Sequence, residues 1–529
     1  MIYLVALLLG LWFWRRNFSD ASFWMIATYA GIGLVFWTDY TAVSADGGML
    51  NEALPRIVRD FLLLGMVGFV QSLAVNKRMP IWLAVILTLV IFAAAHFLEF
   101  EAPGQGAEGS GTATPAGPLS TYTAPAAAPE FDATAETVVL DPAGEYLVQL
   151  RDKDAVVAFL VEAHSRGWTA DYAFTPDHPE VEGVDLEWFM TVDVADEAAA
   201  ATALRKMDGV VYFEGNERIT VDPLTGNDNL QRREPILGIN DPETGQQWAM
   251  SVLQMDAYYR LLANQTPVKK ARIAILDTGV DSRHEDLNGN FVSIDAKYDN
   301  DPQGHGTHCA GIAAGVTNNG IGIGSLAGIG KSPFVELTSV KVLNASGMGT
   351  QKSIVAGIIE AADEGADVIS LSLGGPSNSS RQRAYSQAVK YAQAQGAIVL
   401  SAAGNSNRNA KDYSPANAKG MIAVAALDQD LKRAVFSNTV QNVRYGIAAP
   451  GVGIFSTLPN NTYKMASGTS MACPFVAGLI GVMRSLDPEL TTATAYDILH
   501  DTGKETVDGK LTGRVVQPAA AIGRVLASR

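Results

Sequence analysis

The sequence predicts an α/β fold for its C-terminal half, built on a parallel sheet, preceded by a small α+β domain and an N-terminal transmembrane helical region. Three observations predict this order. From Arg272 onward, apolar strand-like runs alternate with amphipathic helical stretches, which is typical of a parallel sheet covered by helices on both faces. Val138–Val221 has the pattern strand, helix, strand, helix, strand, and the first hundred residues contain four long apolar runs.

Length and composition exclude some classes of protein. A chain of 529 residues predicts about three domains. The formal net charge of -16 argues against a nucleic-acid partner, which would require a basic face. With only Cys309 and Cys473, the chain has no disulfide framework.

The apolar runs of residues 1–99 predict about four transmembrane helices and hence a lipid bilayer as a partner. A bilayer-spanning helix needs about 20 apolar residues. The first run is short, like that of a signal peptide, but it lacks a basic start and a small-residue cleavage site. Buried core helices are the alternative interpretation. The four runs are Met1–Trp14, Ala21–Trp37, Phe61–Val75 and Pro80–Leu98.

The basic residues between the apolar runs predict the orientation in the membrane. Arg15 and Arg16 follow the first run, and Lys77 and Arg78 precede the fourth. Because loops rich in Lys and Arg remain in the cytoplasm, everything after Glu99 is expected on the extracytoplasmic side, whether or not the first run spans.

Residues 100–136 are rich in Ala, Pro, Gly, Ser and Thr, from which no core can be built. This segment is interpreted as a tether, which as a flexible coil would span about 30 Å.

The segment 137–222 is predicted to be a small ferredoxin-like α+β domain. Taken alone, it has the pattern of a generic binding domain. The predicted strands are Glu145–Leu150, Leu186–Val194 and Val210–Gly215, and the predicted helices are Ala155–His164 and Glu197–Met207.

The C-terminal half carries polar residues where its predicted strands end. Asp277 and Asn405 each follow an apolar run, and sites in parallel sheets form at the carboxyl ends of strands. The predicted strands are Arg272–Gly279, Ser339–Leu343, Ala366–Gly375, Ala397–Asn405 and Met421–Leu427, and the main helices are Ser353–Asp363 and Arg383–Gln395.

Two glycine-rich motifs add chemistry to these strand ends. "GHGTHCAG" (Gly304–Gly311) places His305 between glycines that allow close backbone approach, and "GTSMACP" (Gly468–Pro474) places Ser470 before an apolar run. A serine in that position is either a helix cap or a nucleophile, and the heptapeptide alone leaves both open.

With "DTG" at Asp277, these motifs resemble the three signature motifs of the subtilisin-like serine proteases, the subtilases. "SLSLGG" and "AAGN" fall between them in the family's order, and the resemblance covers about Asn240 to Ile522. Because of its cysteine, the motif "HGTHCAG" resembles that of the thermitase and proteinase K side of the family. The resemblance implies a serine endopeptidase that acts on protein or peptide substrates.

The resemblance assigns a role to each of four residues. Ser470 is the nucleophile, and since a free serine hydroxyl is weakly nucleophilic, His305 takes its proton. Asp277 holds the imidazole in the correct tautomer. Asn405 and the Ser470 N–H bind the oxyanion. On this interpretation Ser470 both begins a helix and performs the chemistry.

The resemblance also implies a cleft in which substrate pairs as an added strand between two extended segments. Small residues in the S1 pocket imply a broad preference for apolar P1 residues. The implied substrate-binding residues are Ser372, Leu373, Gly374, Gly347 and Gly349 along the strand segments, and Ala402 and Gly404 in the S1 pocket.

Calcium is the metal that the resemblance implies, since the matching ligands are all oxygens. A second loop, Asp299–Gln303, partly resembles another calcium loop of the family but is shorter. The implied side-chain ligands are Asp241, Asp286 and Asn319, and the implied carbonyl ligands are those of Val316, Ile321 and Ile323.

In position and pattern, residues 137–222 resemble a subtilase propeptide, which implies a zymogen with its own prodomain as an intramolecular inhibitor. Residues 223–239 are then a processing linker, with self-cleavage expected between Thr225 and Asn240, and residues 240–529 are the peptidase domain. Phe475 departs from the family, which usually has a histidine there.

Several alternatives remain open at this stage. The fold could be a catalytically idle binding module, and the membrane region could be a sensor and not only an anchor. Cys309 and Cys473 either form a disulfide or remain buried thiols. His308 is expected to be structural, and His284 and His500 to be surface or structural residues.

Overall fold

The computed structural model describes residues 144–221, 224, 238–377 and 382–528. The chain divides into two compact units, residues 1–121 and 122–529, and every described residue belongs to the second. The predicted transmembrane helices and tether lie outside the described residues, as does most of the processing linker. Within the described part, one helix, Thr469–Leu486, is long and apolar enough to cross a membrane, and it is fully buried in the protein.

The first described residues, from Gly144 onward, form a small domain with one antiparallel sheet of strand order β2-β3-β1-β4. The chain order strand, helix, strand, strand, helix, strand is that of ferredoxin-like units. Its elements are β1 (Glu145–Leu150), α1 (Lys153–Ser165), β2 (Thr169–Tyr172), β3 (Phe189–Asp193), α2 (Glu197–Leu204) and β4 (Val210–Gly215).

Aspartates cap both helices of the small domain. The Asp152 carboxylate accepts the N–H of Ala155 at 2.9 Å, and that of Asp196 accepts the N–H of Ala199 at 2.9 Å. Both caps satisfy N–H groups that a helix start leaves without partners. The edge strand β2 was not predicted, because its four residues are exposed or half-buried and lack a run of apolar side chains. The predicted strand Leu186–Val194 begins instead with a turn of 3-10 helix over Leu186–Trp188.

The two faces of the small sheet are buried against different partners. Leu147 of β1 belongs to the core cluster that includes two helices of the large domain, whereas Val148 and Leu150 pack with α1 of the small domain. Because successive side chains of a strand point to opposite faces, β1 packs into both cores and so joins the two domains.

The large domain is an α/β unit on a six-stranded parallel sheet, as predicted. A short strand from the end of segment 137–222, β5 (Arg218–Thr220), pairs with the large domain. The strands of the large domain, including short ones outside the large sheet, are β6 (Ala271–Asp277), β7 (Val335–Lys341), β8 (Met348–Thr350), β9 (Val368–Leu371), β10 (Gly375–Pro376), β11 (Ile398–Ala402), β12 (Tyr413–Ser414), β13 (Ile422–Leu427), β14 (Tyr445–Pro450), β15 (Ile454–Leu458) and β16 (Thr462–Ala466). The large sheet has the order β14-β13-β11-β9-β6-β7, and all its pairings are parallel.

Helices cover both faces of this sheet. They are α3 (Trp248–Val252), α4 (Met255–Leu262), α5 (His305–Ala314), α6 (Gln351–Asp363), α7 (Arg383–Ala394), α8 (Thr469–Leu486), α9 (Thr492–Thr502), α10 (Gly509–Thr512) and α11 (Pro518–Ala527). Along β6, Ile273 and Ile275 pack into the core that contains α5 and α8, whereas Ala274 and Leu276 pack into the core that contains α6 and α7.

Strand β14 is the one member of the large sheet that the sequence analysis did not predict. Its sequence, YGIAAP, contains glycine, alanine and proline, which are depleted in strands. Its pairing with β13 over the whole length Tyr445–Pro450 overrides this weak local preference.

Helix α8 approaches its neighbours closely because it presents glycines to them. A Cβ placed on Gly478 would lie 2.5 Å from the carbonyl oxygen of Ala313 in α5, and one on Gly481 would lie 2.6 Å from Cδ1 of Ile273 in β6. Close contact at these glycines fixes the spacing of α8 from α5 and β6.

We expect Gly478→Ala to lower the free energy of unfolding by about 1–3 kcal/mol, because the added methyl group meets a backbone oxygen that cannot rotate away. Chemical denaturation measures the change. Gly523→Ala on α11 is the matched control, since nothing lies within 4 Å of its added Cβ. That variant should gain about 0.5–1 kcal/mol from helix propensity. Equal effects at both positions would contradict the close contact.

Candidate active site

Asp277 and His305 form a buried pair at the carboxyl end of β6. The His305 Nδ1 lies 2.8 Å from Oδ1 and 2.9 Å from Oδ2 of Asp277, so that the ring N–H donates to the carboxylate. Asp277 is fully buried and His305 is 1% exposed. The contact requires Gly306, because a Cβ there would lie 2.1 Å from the carbonyl oxygen of Gly279.

The two ionisable groups act on each other in the protein interior. Burial alone would lower the pKa of His305, but the Asp277 carboxylate and its hydrogen bond raise that pKa well above the ordinary histidine value. Nδ1 is held as the donor to Asp277, which leaves Nε2 as the ring's proton acceptor when the ring is neutral.

Asp301 organises the loop that carries His305. Its carboxylate accepts hydrogen bonds from the hydroxyls of Thr278 (2.8 Å) and Thr307 (2.7 Å). It also accepts the backbone N–H groups of Gln303, Gly304 and Thr307 at 3.1, 2.8 and 2.8 Å. The sequence analysis did not assign this role. The available signal was an aspartate three residues before the glycine that begins the His305 motif.

Ser470 occupies the first turn of α8 and is 5% exposed. Its hydroxyl donates to the carbonyl oxygen of Ser372 at 3.0 Å, and its own carbonyl accepts the Ser372 hydroxyl at 2.8 Å. Ser372 directly follows β9, so Ser470 lies at the same edge of the sheet as Asp277. Among the described residues, the hydrogen bond recorded for the Ser470 hydroxyl is to Ser372 and not to His305.

Cys309 connects the two helix starts. Its sulfur lies 3.9 Å from Nδ1 of His305 and 3.5 Å from the carbonyl oxygen of Ser470. Cys309 and Cys473 are both buried free thiols in this structure, and burial raises the pKa of each. The two open alternatives for these cysteines therefore resolve here in favour of thiols.

Asn405 presents its amide beside the Ser470 backbone. Its Oδ1 accepts the N–H and hydroxyl of Thr469 at 2.8 and 2.9 Å, which fixes the orientation of the amide. A Cβ built on Gly468 would lie 3.3 Å from Nδ2 of Asn405 and 3.6 Å from the backbone nitrogen of Ser470. These two nitrogens therefore lie close to one point beside the nucleophile candidate.

The residues expected to line the S1 pocket lie at and just after the end of β11. Ala402 is buried, and Gly404 has a φ of +99°, which strongly favours glycine. A side chain at Gly404 would meet Nδ2 of Asn438 at 2.4 Å. The turn that brings Asn405 to the site therefore depends on this glycine.

The chain's own strand β5 lies between the two segments expected to bind substrate. It pairs antiparallel with β8, with Ile219 opposite Gly349, and Thr220 forms an antiparallel bridge to Gly374. The N–H of Val221 donates to the carbonyl oxygen of Gly347 at 3.0 Å. Leu373, between Ser372 and Gly374, is 3% exposed and packs in the same core cluster as Ile219.

Three of the expected calcium ligands lie together. The Asn319 side-chain amide donates to Asp286 at 2.8 Å, and the Asn319 backbone N–H donates to Asp241 at 2.9 Å. Both aspartates are buried, and neither forms an ion pair among the described residues. Burial, assisted by neighbouring carboxylates, raises the pKa of Asp286 to about 7.

The other three expected ligands contact these groups through their N–H groups. The N–H of Ile323 donates to the Asp286 carboxylate and that of Ile321 to the Asn319 side-chain oxygen, both at 2.8 Å. The N–H of Val316 donates to the backbone carbonyl oxygen of Asp286, also at 2.8 Å. Two buried carboxylates and one amide oxygen form an oxygen-only donor set that suits a hard cation.

The remaining histidines have structural surroundings. His308 is buried, its Nε2 lies 3.0 Å from the carbonyl oxygen of Lys464, and burial lowers its pKa to about 3. His284 is also fully buried and contacts the carbonyl oxygen of Thr462, so the expected surface alternative is wrong for this residue. His500 is half-buried on α9.

Comparisons with known proteins agree with this arrangement. The family described as "Subtilase family" matches residues 269–516. Thermitase of Thermoactinomyces vulgaris is 49% identical over 220 residues, covering 41% of this chain and 75% of that protein. Subtilisin DY of Bacillus licheniformis is 41% identical over 251 residues, covering 46% and 87%. M-protease of Shouchella clausii (strain KSM-K16) is 31% identical over 421 residues, covering 78% and 99%.

We expect Asp301→Ala to lower the free energy of unfolding by about 2–4 kcal/mol, because buried hydroxyl and N–H groups lose their acceptor. Asp301→Asn, which keeps one acceptor oxygen, should lose less. Denaturant titration provides the measurement, and Asp501→Ala on the exposed side of α9 is the control, expected within about 0.5 kcal/mol of the parent. A loss at Asp301 no larger than that of the control would disprove the organising role.

Proposed function

Because the chain belongs to the subtilase family of serine endopeptidases, we propose that it hydrolyses peptide bonds through Asp277, His305 and Ser470, with Asn405 as oxyanion donor. The single observation that carries this proposal is the buried Asp277–His305 hydrogen bond beside Ser470 at the start of α8. The arrangement supplies a base with a fixed tautomer next to a hydroxyl.

The reaction begins with neutral His305 taking the Ser470 proton while the hydroxyl oxygen attacks the substrate carbonyl. For this step the Ser470 hydroxyl must exchange its hydrogen bond to Ser372 for one to Nε2 of the ring. The new oxyanion lies between the Asn405 amide and the Ser470 N–H. His305 then returns the proton to the leaving amine, and water repeats the sequence on the acyl-enzyme.

The proposed substrate is an extended peptide with an apolar P1 residue. Ser372–Gly374 and Gly347–Gly349 would bind it as an added strand, and Ala402 and Gly404 would line the S1 pocket. The position of β5 supports this proposal, because it shows that an extended segment fits between the two edges.

The position of β5 also supports a zymogen in which the small domain inhibits the enzyme. The Glu214 carboxylate accepts hydrogen bonds from the side-chain amide of Gln351 at 3.0 Å and from the backbone N–H of Ala384 at 3.3 Å. The side-chain oxygen of Asn216 accepts a hydrogen bond from the backbone N–H of Lys352 at 2.9 Å. The small domain thereby caps the starts of α6 and α7. These bonds hold β5 in the cleft as an intramolecular inhibitor.

Processing is proposed downstream of this inhibitory strand, between Thr225 and Asn240. In sequence, Val221 is followed by Asp222 and Pro223. Proline offers no N–H, and its ring carbon occupies the place of the amide hydrogen beside the leaving nitrogen. A bond to Pro223 is therefore a poor substrate, which favours a cut further along the chain.

We predict that N-terminal sequencing of the active form will find a first residue after Thr225 and no later than Asn240. The Ser470→Ala chain, expressed alone, should remain uncut, because the proposed cleavage is by the enzyme itself. Processing of that variant with the efficiency of the parent would refute self-cleavage without affecting the proposed triad.

Membrane tethering completes the proposal. Residues 1–99 would anchor the enzyme, and the peptidase domain would act on the extracytoplasmic side, with release possible after processing. The proposal rests on the four apolar runs and the basic loops between them. Deleting residues 1–99 distinguishes the two roles of this region. The specific activity should be preserved if the region is only an anchor, and it should change if the region is a sensor.

A structural calcium ion is proposed at Asp241, Asp286 and Asn319. The support is the pair of buried carboxylates without a cationic partner among the described residues, together with oxygen ligands that suit calcium. The carbonyls of Val316, Ile321 and Ile323 would complete its set of oxygen ligands. The ion would offset the repulsion between the carboxylates and would take no part in hydrolysis.

For the chemistry, we expect Asn405→Asp to reduce kcat by about 100-fold or more with little change in KM, because the donor is lost where charge develops. This substitution keeps the oxygen that accepts from Thr469. A fluorophosphonate probe should label Ser470 in the parent and in Asn405→Asp, and nothing in Ser470→Ala. An unlabelled, inactive parent chain would instead support the idle binding module.

For the metal, a calcium chelator should lower the Tm of the parent by several degrees, since an ion that binds only the folded state stabilises it by mass action. Asp286→Asn should largely lose this calcium dependence. Asp430→Asn, at an exposed position, should keep it. Thermal scans with and without chelator compare the three proteins, and a parent whose Tm ignores calcium contradicts the site.

A further inference from the structure

A groove of about 1370 Å³ runs along α7, away from the candidate active site. Gly183 and Tyr212 of the small domain form part of its wall. The large domain supplies one face of α7 and the segments around Lys419, Tyr445 and Pro488. None of the residues assigned to catalysis, substrate or calcium lines it, and both domains border it.

The charge of this groove is opposite to that of the chain as a whole. The chain carries a net charge of -16, but the groove has Glu489 as the one carboxylate among its described lining residues. The cationic side chains that line it are Lys269, Arg383, Lys390, Lys419, Arg444 and Arg484.

Two of these cations share a single carboxylate, that of Asp367, which lies 2.6 Å from Lys269 and 3.0 Å from Arg484. The other four form no ion pair within the described part of the chain. They make weaker contacts, such as Arg383 over the ring of Tyr212 at 5.4 Å. The six cations face only two carboxylates, those of Asp367 and Glu489, which leaves an excess of four positive charges in the described part of the groove.

The hydrogen-bonding groups of the groove also favour an anionic ligand. One face of α7 presents Arg383, Ser386, Gln387, Lys390 and Gln393, a helical spacing without an acidic residue. A flexible chain bearing carboxylates would accept hydrogen bonds from these side chains.

We propose that this groove binds residues 122–143 of the same chain. That segment contains Glu130, Asp132, Glu136 and Asp141, four carboxylates for four unbalanced cations. No lysine or arginine occurs anywhere between Arg78 and Arg151, so nothing in the segment opposes the attraction. The segment therefore carries the negative charge that the groove requires of its ligand.

The connection to Gly144 lets this segment reach the groove. Tyr212 in the groove wall is paired with Gln149 of β1, and Gln149 is five residues from Gly144, or about 17 Å along the strand. Glu130 lies 14 residues before Gly144, and a flexible segment of that length spans about 20 Å. Covalent attachment gives such a segment an effective concentration near the millimolar range.

Binding there would reinforce the junction between the two domains. The groove wall is shared, and Lys390 of the large domain already donates to the carbonyl oxygen of Gly183 in the small domain at 3.0 Å. A carboxylate segment across both walls would add ionic contacts to this junction. Because Lys390, Lys419 and Arg444 are exposed, salt would weaken the attachment.

The test is zero-length carbodiimide cross-linking of the full chain in detergent, with peptide mapping by mass spectrometry. We expect Lys390 and Lys419 to be linked to Glu130, Asp132 or Glu136. The yield should fall about threefold or more between 0.05 and 0.5 M salt, as the screening length shortens. Arg444→Gln should also lower the yield, although both reactive lysines remain, whereas Arg524→Gln on α11 should not.

The control lysine is Lys331, which is exposed and does not line the groove. Equal linkage of the segment to Lys331, or a yield that salt does not change, would overturn the proposal. Mixing isotopically labelled and unlabelled chains detects a second copy, and links found only between copies would also overturn it. The proposal would also be overturned if the chain showed no links and phosphatidylglycerol vesicles protected the groove lysines from acylation.

Discussion

The candidate site depends on keeping one carboxylate and one imidazole in contact inside the protein. Asp277 and His305 are both buried, and a buried charge is tolerated only when it is paired and hydrogen-bonded. Their contact requires the end of β6 and the start of α5 to approach within a distance that only a glycine at position 306 permits. Asp301 then holds the loop between them through five hydrogen bonds.

The second constraint is the close packing of α8. Its glycines face α5 and β6, so the helix that begins beside Ser470 lies against the elements that carry His305 and Asp277. A parallel sheet has its carboxyl strand ends at one edge, and Ser372 and Asn405 reach the site from that edge as well. The arrangement therefore follows from sheet topology combined with small residues at the contacts.

The chain handles charge in different ways in different places. At Asp241 and Asp286, two carboxylates are buried without a cation among the described residues, which is costly unless an ion is bound. Along α7 the opposite imbalance occurs, with unpaired cations in a chain of net negative charge. Strand β5, by contrast, is held to β8 and Gly374 by backbone pairing, which depends little on side-chain charge.

The sequence by itself determined the parallel-sheet domain and most strand positions, and it indicated Asp277, His305 and Ser470 as candidate site residues. These follow from local periodicity and from motifs such as "GHGTHCAG", which carry their information within a few residues. It did not determine β2 or β14, whose weak local preferences are overridden by pairing with β3 and β13. Nor did it reveal the role of Asp301, the burial of His284, or the bond from Ser470 to Ser372. Only the tertiary structure decided these, because each depends on groups far apart in the chain that meet after the sheet and helices have packed.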